Sequence, residues 1–161
     1  MYRRLLPFVA IGLVIVAAVL SLTLYLTRGT HLELRGSIQK LRTLAVEDAG
    51  SIAVVDFRFI NPSDYPFIVK KLTVTFATAD SRTLEGDNIS EVDARRVFEY
   101  YPVLGQKFNE TLRLKEKVGA RQAMDKMIAV RFNVAESEIQ SPRQIRIRID
   151  DVDGAVSEIV K

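Results

Sequence analysis

The chain has 161 residues, of which 48% are hydrophobic and 27% charged, with no cysteine and a single histidine, His31. This composition excludes thiol catalysis and argues against zinc sites and histidine-based triads. The net charge of +3 belongs to Arg3, Arg4 and Arg28, because residues 29–161 balance 20 basic against 20 acidic side chains. A neutral domain with both signs interspersed has no electrostatic footprint for nucleic acid, so no nucleic-acid partner is predicted.

An uncharged apolar segment opens the chain. Residues 5–27 contain no Asp, Glu, Lys, Arg or His over 23 positions. At about 1.5 Å of helical rise per residue, this length crosses a hydrocarbon core of roughly 30 Å. A cleaved signal peptide is the alternative, but bulky leucines stand where small residues would be needed for cleavage. The sequence predicts an uncleaved transmembrane signal-anchor at 1–28, with the lipid bilayer as partner through residues 5–27.

The basic flanks of this segment predict its orientation. Arg3 and Arg4 precede it together with the amino terminus, whereas Arg28 and Arg35 follow it. The positive-inside rule then favours a cytoplasmic N-terminus. We predict a single-pass protein of the cell membrane (the inner membrane if the cell has two), with its C-terminal part periplasmic or extracellular. A neck at 29–35 leads to one domain at 36–161, the usual size of a domain with one core.

The C-terminal part shows the period-two alternation of strands. In residues 51–60, apolar side chains share one face while Asp56 and Arg58 lie on the other. Similar alternation occurs in residues 68–78, 111–118, 127–134 and 144–150. One buried and one solvated face is typical of antiparallel sheets. We predict an immunoglobulin-like antiparallel β-sandwich of about seven strands. The expected core comprises Phe57, Phe59, Leu72, Val74, Phe76, Ile145, Ile147 and Ile149.

One short helix is predicted near 91–101. Ser90 and Asp93 resemble a capping pair, and Pro102 stops the helix. The apolar residues between them recur at helical spacing: Ala94, Val97, Phe98 and Tyr101.

The run Ser51-Ile52-Ala53-Val54-Val55-Asp56-Phe57-Arg58-Phe59-Ile60-Asn61-Pro62-Ser63 ends an apolar strand in Asn-Pro-Ser, and a second strand follows. It resembles the group 2 late embryogenesis abundant proteins, also described by the water-stress and hypersensitive-response domain, over residues 36–86. The resemblance implies a seven-stranded antiparallel sandwich behind a single N-terminal span, with a stress-associated role. Asn61 and Pro62 form the family turn motif. A simple turn is the alternative, since Asn bonds nearby backbone and Pro fixes φ.

Two segments are candidate partner surfaces. Tyr100 and Tyr101 begin an aromatic and apolar stretch at the helix end, for which packing over the open end of the sandwich is the alternative. Arg146 and Arg148, with Arg143 and with Arg131 on a neighbouring strand, would form a basic stripe, although ordinary solvated strand faces look the same. The acidic run 150–154 suggests either calcium or a hairpin turn, and the turn explains it more simply.

No catalytic, cofactor or metal site is predicted, and the chain is not expected to be an enzyme. The sequence favours a membrane-tethered β-sandwich that acts outside the cytoplasm in binding or protection, with a protein or lipid partner near the membrane. One alternative is a structural subunit of a cell-envelope assembly. A second is an enzyme with an unrecognised carboxylate site.

Overall fold

The computed structural model describes residues 6–27, 33–46 and 50–161. The chain divides into two compact units, residues 1–31 and residues 32–161. Residues 29–32 of the predicted neck, including His31, lie outside the described residues, as do Arg3, Arg4 and Arg28.

The first unit contains helix α1, Leu6–Thr27. Its side chains are described for residues 12–22, where the large apolar ones are more than half exposed. Within the described part of the chain, no helix is found that is long and apolar enough to cross a membrane. The membrane span stays a prediction from the sequence.

The second unit is mainly β. Its strands are β1 Arg35–Val46, β2 Gly50–Ile60, β3 Phe67–Ala77, β4 Thr83–Asn88, β5 Glu110–Thr111, β6 Lys117–Val118, β7 Ala123–Phe132, β8 Gln144–Asp151 and β9 Val156–Val160. Helix α2, Glu91–Tyr100, and a 3-10 turn, Pro102–Leu104, lie between β4 and β5, and a single-turn helix α3, Glu136–Ile139, precedes β8.

The strands form one sheet in the order β1-β2-β7-β4-β3-β8-β9. Neighbours on this path are antiparallel, while β5 adds to β7 in parallel and β6 adds to β3. Strand β4 pairs with β3 over residues 83–86 and with β7 over residues 87–88, so hydrogen bonding continues from one half of the sheet into the other. The sheet curls over its main core at this strand. The predicted antiparallel β fold is confirmed, but its layers are joined through β4 rather than being two separate sheets.

Gly86 lies where β4 passes from β3 to β7. A Cβ atom there would stand 2.8 Å from the Phe132 ring and 2.9 Å from Val130 Cβ, closer than real side chains approach. Because Gly86 has no side chain, β4 can approach β7 closely enough to pair with it in the next two residues.

The main core lies between the two halves of the curled sheet. All eight residues predicted for it belong to one buried cluster, together with inward side chains of β7 and β9. Phe57 and Phe59 stack with ring centroids 5.6 Å apart, and Phe76 meets Phe132 at 4.8 Å. The predicted strand at 111–118 is wrong in its middle, because only its ends pair and the intervening turn leaves Leu114 60% exposed.

The outer face of β2 is not solvated as its alternation predicted. Residues 50–57 are all buried, and Asp56 is only 5% exposed. A second apolar cluster lies on that face, built from Leu44, Ile52, Val54, Met127 and Ala129 under Ala94 and Leu104. Helix α2 and the 3-10 turn supply the last two residues and cover this face of β1, β2 and β7.

Helix α2 begins and ends as the sequence predicted. Ser90 is the N-cap, and its Oγ accepts a hydrogen bond from the Asp93 backbone N–H at 3.2 Å. Ala94 is fully buried while Val97 and Phe98 pack at the edge of the second cluster, so the apolar face of the helix lies toward the sheet. The helix ends where Pro102 starts the 3-10 turn.

Candidate functional site

The Asn61-Pro62 turn is held by the Asn61 side chain, which is fully buried. Its Nδ2 donates to the carbonyl oxygens of Tyr65 at 2.7 Å and Gly119 at 3.1 Å. Its Oδ1 accepts from the backbone N–H and the hydroxyl of Ser63. Asn61 therefore joins its own loop to the loop before β7, and its contacts are those of a structural residue.

The acidic run 150–154 forms the hairpin between β8 and β9. Asp151 is 1% exposed, and its Oδ1 accepts from the Ile68 backbone N–H at 2.6 Å. Its Oδ2 accepts from the Asp153 N–H across the turn. Among the described residues, no group of three or more metal-ligating side chains is placed together.

Arg146 and Arg148 lie on the outer face of β8, where acidic partners neutralise them. Arg146 Nη1 is 3.6 Å from Glu158 on β9. Arg148 Nε donates to Asp150 Oδ1 at 2.9 Å, and this hydrogen bond raises the pKa of Arg148. Arg131 lies on β7, whose neighbours do not include β8, so it does not extend a basic stripe as the sequence suggested. Tyr100 and Tyr101 lie in the segment that covers β1, β2 and β7, so the two predicted surfaces are separate.

The segment from the end of α2 to β5, hereafter the 100–108 segment, exposes several large apolar side chains. Tyr100 is 77% exposed, Val103 78% and Phe108 69%, while Tyr101 is 37% exposed. Leu104 in the middle of the segment is 3% exposed and enters the second apolar cluster. The alternative to a partner site was that this stretch packs over the open end of the sandwich. In the structure one residue packs while most of its neighbours point outward.

A buried ion pair holds the backbone of this segment. Arg42 on β1 bonds Asp56 Oδ2 on β2 through Nη2 at 2.6 Å, and both side chains are 7% exposed. Its Nη1 donates to the carbonyl oxygens of Leu104 and Gln106, each at 2.9 Å. Asn109 Nδ2 donates to the other oxygen of Asp56 at 2.9 Å. Two charges in the sheet therefore fix this segment at Leu104 and Gln106, and fix Asn109 directly after it.

The Arg42–Asp56 pair was not predicted as a site. The alternation in residues 51–60 assigned Asp56 to a solvated face. One signal for this pair was present in the sequence, because Asp56 lies inside a strand that is otherwise almost wholly apolar. Such a strand is often buried on both faces, and a buried carboxylate requires a partner. The partner's identity could not be read from the sequence, because it comes from another strand.

A cleft of about 380 Å³ opens between β3 and β7. Strand β4 fills the space between them only at residues 74–77 of β3 and 130–131 of β7, and β5 and β6 cover only their other ends. Leu72 and Ile128 are left between these contacts and form the floor. Asn88 closes one side of this gap, since its Nδ2 donates to the Leu72 carbonyl at 2.8 Å in place of a strand partner.

The turn after β5 forms the opposite wall of the cleft. Glu116 fixes that turn by accepting from the Arg113 backbone N–H at 3.0 Å. Its other oxygen lies 2.6 Å from the ammonium group of Lys126, a side chain only 6% exposed. At the rim, Arg113 and Glu91 form an ion pair at 3.6 Å across the opening.

No family model matches this chain, and no curated protein matches it. Among solved structures, it is similar to an uncharacterized beta-sandwich protein from Clostridium difficile 630. The identity is 10%, the TM-score is 0.41, and the match covers 80% of this chain and 85% of that one.

Proposed function

We propose that this chain is a non-catalytic binding module, tethered to a membrane through residues 5–27, whose β domain holds a protein partner outside the cytoplasm. The observation that carries the proposal is the 100–108 segment. Aromatic side chains are frequent anchors of protein interfaces, and a fixed backbone lowers the entropy that is lost on binding. Tyr100, Val103 and Phe108 are exposed, while Arg42 and Asp56 hold the backbone beside them.

The tether is supported by the sequence. Residues 5–27 carry no charged side chain and follow two arginines. The β domain itself has no net charge, so long-range attraction would not bring it to a membrane. Attachment through residues 5–27 would keep the domain at high local concentration near a membrane-bound partner. A stress-associated role follows only from the resemblance of residues 36–86.

A non-catalytic role is supported by how the buried acids are used. The Asp56 carboxylate accepts hydrogen bonds from Arg42 and Asn109, and the Asp151 carboxylate accepts them from backbone N–H groups. A catalytic carboxylate needs access to substrate. The buried carboxylates Asp56 and Asp151 act on the fold instead.

The partner surface is tested by replacing exposed side chains. The triple variant Tyr100→Ser, Val103→Ser, Phe108→Ser should abolish co-purification of a stoichiometric partner from gently solubilised membranes. Truncating a few interface anchors commonly costs 2 kcal/mol or more each, so retention should fall by more than about a hundredfold. The matched control is Tyr65→Ser, because Tyr65 is 64% exposed on a different loop.

The folded content of each variant is checked by circular dichroism. Unchanged retention of the partner by a folded triple variant would contradict this surface, and an equal loss in Tyr65→Ser would show that the effect is not local to it.

The tether gives a second prediction. Protease added to intact cells, or to spheroplasts if there is an outer membrane, should digest the β domain, because the basic flanks favour a cytoplasmic N-terminus. Alkaline washing should not release the full chain from membranes.

Replacing residues 1–28 with a cleavable signal should leave the domain folded but abolish its cellular effect. Protection of the domain until lysis would reverse the orientation, and full rescue by the secreted form would show that the tether is not required.

A structural subunit of a cell-envelope assembly is the second candidate. The same exposed side chains favour it, since permanent interfaces are more apolar than transient ones. Co-purification separates the two functions. One invariant partner set that resists salt indicates a subunit, whereas an exchanging partner indicates a binding module.

A further inference from the structure

We propose that the cleft between β3 and β7 binds a single-chain amphiphile with a carboxylate head group, such as a free fatty acid. This inference goes beyond the protein partner proposed above, because it concerns a different site on the domain.

The interior of the cleft suits an apolar chain. Its apolar lining comprises Leu72 and Ile128 on the floor, with Ile89, Leu112 and Leu114 around them. The volume of about 380 Å³ falls in the range of small-molecule sites, roughly 300–1,000 Å³, and is too small for a helix or a domain. Leu114 is 60% exposed at the rim, so apolar surface continues from the floor to the solvent.

The backbone around the cleft argues against a peptide strand as the occupant. An added strand needs free N–H and C=O groups on its neighbours. The carbonyl of Met127 already accepts from Leu112, and that of Ala129 accepts from Ile89. The Leu72 carbonyl on the other side accepts from Asn88. An occupant must therefore make side-chain contacts, which favours an aliphatic chain over a polypeptide backbone.

The charge at the rim selects the head group. Arg113 lines the opening with its side chain 61% exposed. Glu91 Oε2 lies 3.6 Å from Arg113 Nη1, a separation longer than a direct charge-assisted hydrogen bond. A ligand carboxylate can bond the guanidinium more closely than Glu91 does.

Photolabelling tests this site on the full chain in lipid nanodiscs. The probe is dodecanoate carrying a diazirine on its alkyl chain, with adducts located by peptide mass spectrometry. Adducts should concentrate in residues 88–91 and 111–114, and excess unlabelled dodecanoate should remove them. Arg113→Gln should lower the labelling of these residues about five- to tenfold, since it removes a charge-assisted hydrogen bond. Leu114→Asp should lower it by a similar factor, by placing a negative charge at the rim.

Two comparisons make the result decisive. Arg121→Gln is the matched control, because Arg121 is 65% exposed and ion-paired with Asp64 on another loop, and its labelling should match that of the unmodified chain. Dodecyltrimethylammonium has the same chain length with a cationic head, and it should compete at least tenfold less well than dodecanoate. Labelling confined to residues 6–27, labelling unchanged in both rim variants, or equal competition by the cationic amphiphile would each overturn the proposal.

Discussion

Phe59→Ala is expected to destabilise the β domain by about 3–5 kcal/mol, the usual cost of truncating a buried phenylalanine. Phe59 is 1% exposed, stacks on Phe57 and lies in the main core. Removing its ring leaves a cavity whose walls belong to different strands of the curled sheet, so the site cannot close without moving the strands. Urea denaturation of the full chain in nonionic detergent, followed by circular dichroism, measures the change.

Arg146→Ala is the matched comparison for Phe59→Ala. Both side chains of its ion pair with Glu158 are exposed to solvent by more than a third, and such surface pairs contribute under about 1 kcal/mol. Small and equal effects at Phe59 and Arg146 would mean that the assignment of inner and outer faces is wrong.

Asp56→Ala is expected to cost about 3–5 kcal/mol, because it leaves the Arg42 guanidinium buried without its counter-charge. Arg42 is 8% exposed and lies 5.0 Å from the Phe98 ring, so water cannot readily take the place of the carboxylate. The loss should also free the 100–108 segment, since Asn109 loses its acceptor and Arg42 can move from the two carbonyls. Hydrogen exchange should therefore accelerate at residues 101–109 more than in β3 or β8.

The double variant Arg42→Met, Asp56→Leu distinguishes two effects of Asp56→Ala. One is the loss of stability from burying an unpaired charge, and the other is the loss of the hydrogen bonds that hold the 100–108 segment. It removes both charges, so its stability should exceed that of Asp56→Ala, as when buried ion pairs are replaced by apolar residues. Exchange at residues 101–109 should still be faster than in the unmodified chain, because the hydrogen bonds from Arg42 to Leu104 and Gln106 are absent. If Asp56→Ala changes neither stability nor exchange, the ion pair does not hold the segment.

Period-two alternation predicted the strands well where one face of the sheet is buried. The alternating isoleucines of β8 and the phenylalanines of β2 point into the main core as expected. The capping pair at Ser90 similarly predicted the start of α2. These signals are local, because a strand or a cap is specified by residues close in sequence.

The same rule failed where a second layer covers the sheet. Asp56 was assigned to solvent because its neighbours in sequence alternate, but its burial comes from the 100–108 segment about fifty residues further along. The turn around Leu114 was misread as strand, because an apolar residue at the right parity can also lie at the rim of a cleft. Alternation indicates whether each side chain favours burial or solvent. It does not indicate which distant segment of the chain covers that side chain in the folded domain.

The sequence by itself determined an uncharged N-terminal segment, a mainly β domain, its principal core and the position of its helix, because each depends on the order of apolar and polar side chains along the chain. The tertiary structure alone decided how β4 joins the two halves of the sheet, how Arg42 and Asp56 hold the exposed 100–108 segment, and where the cleft opens between β3 and β7. Each of these depends on pairs of residues far apart in sequence, whose contacts arise only when the sheet curls and brings non-neighbouring strands together.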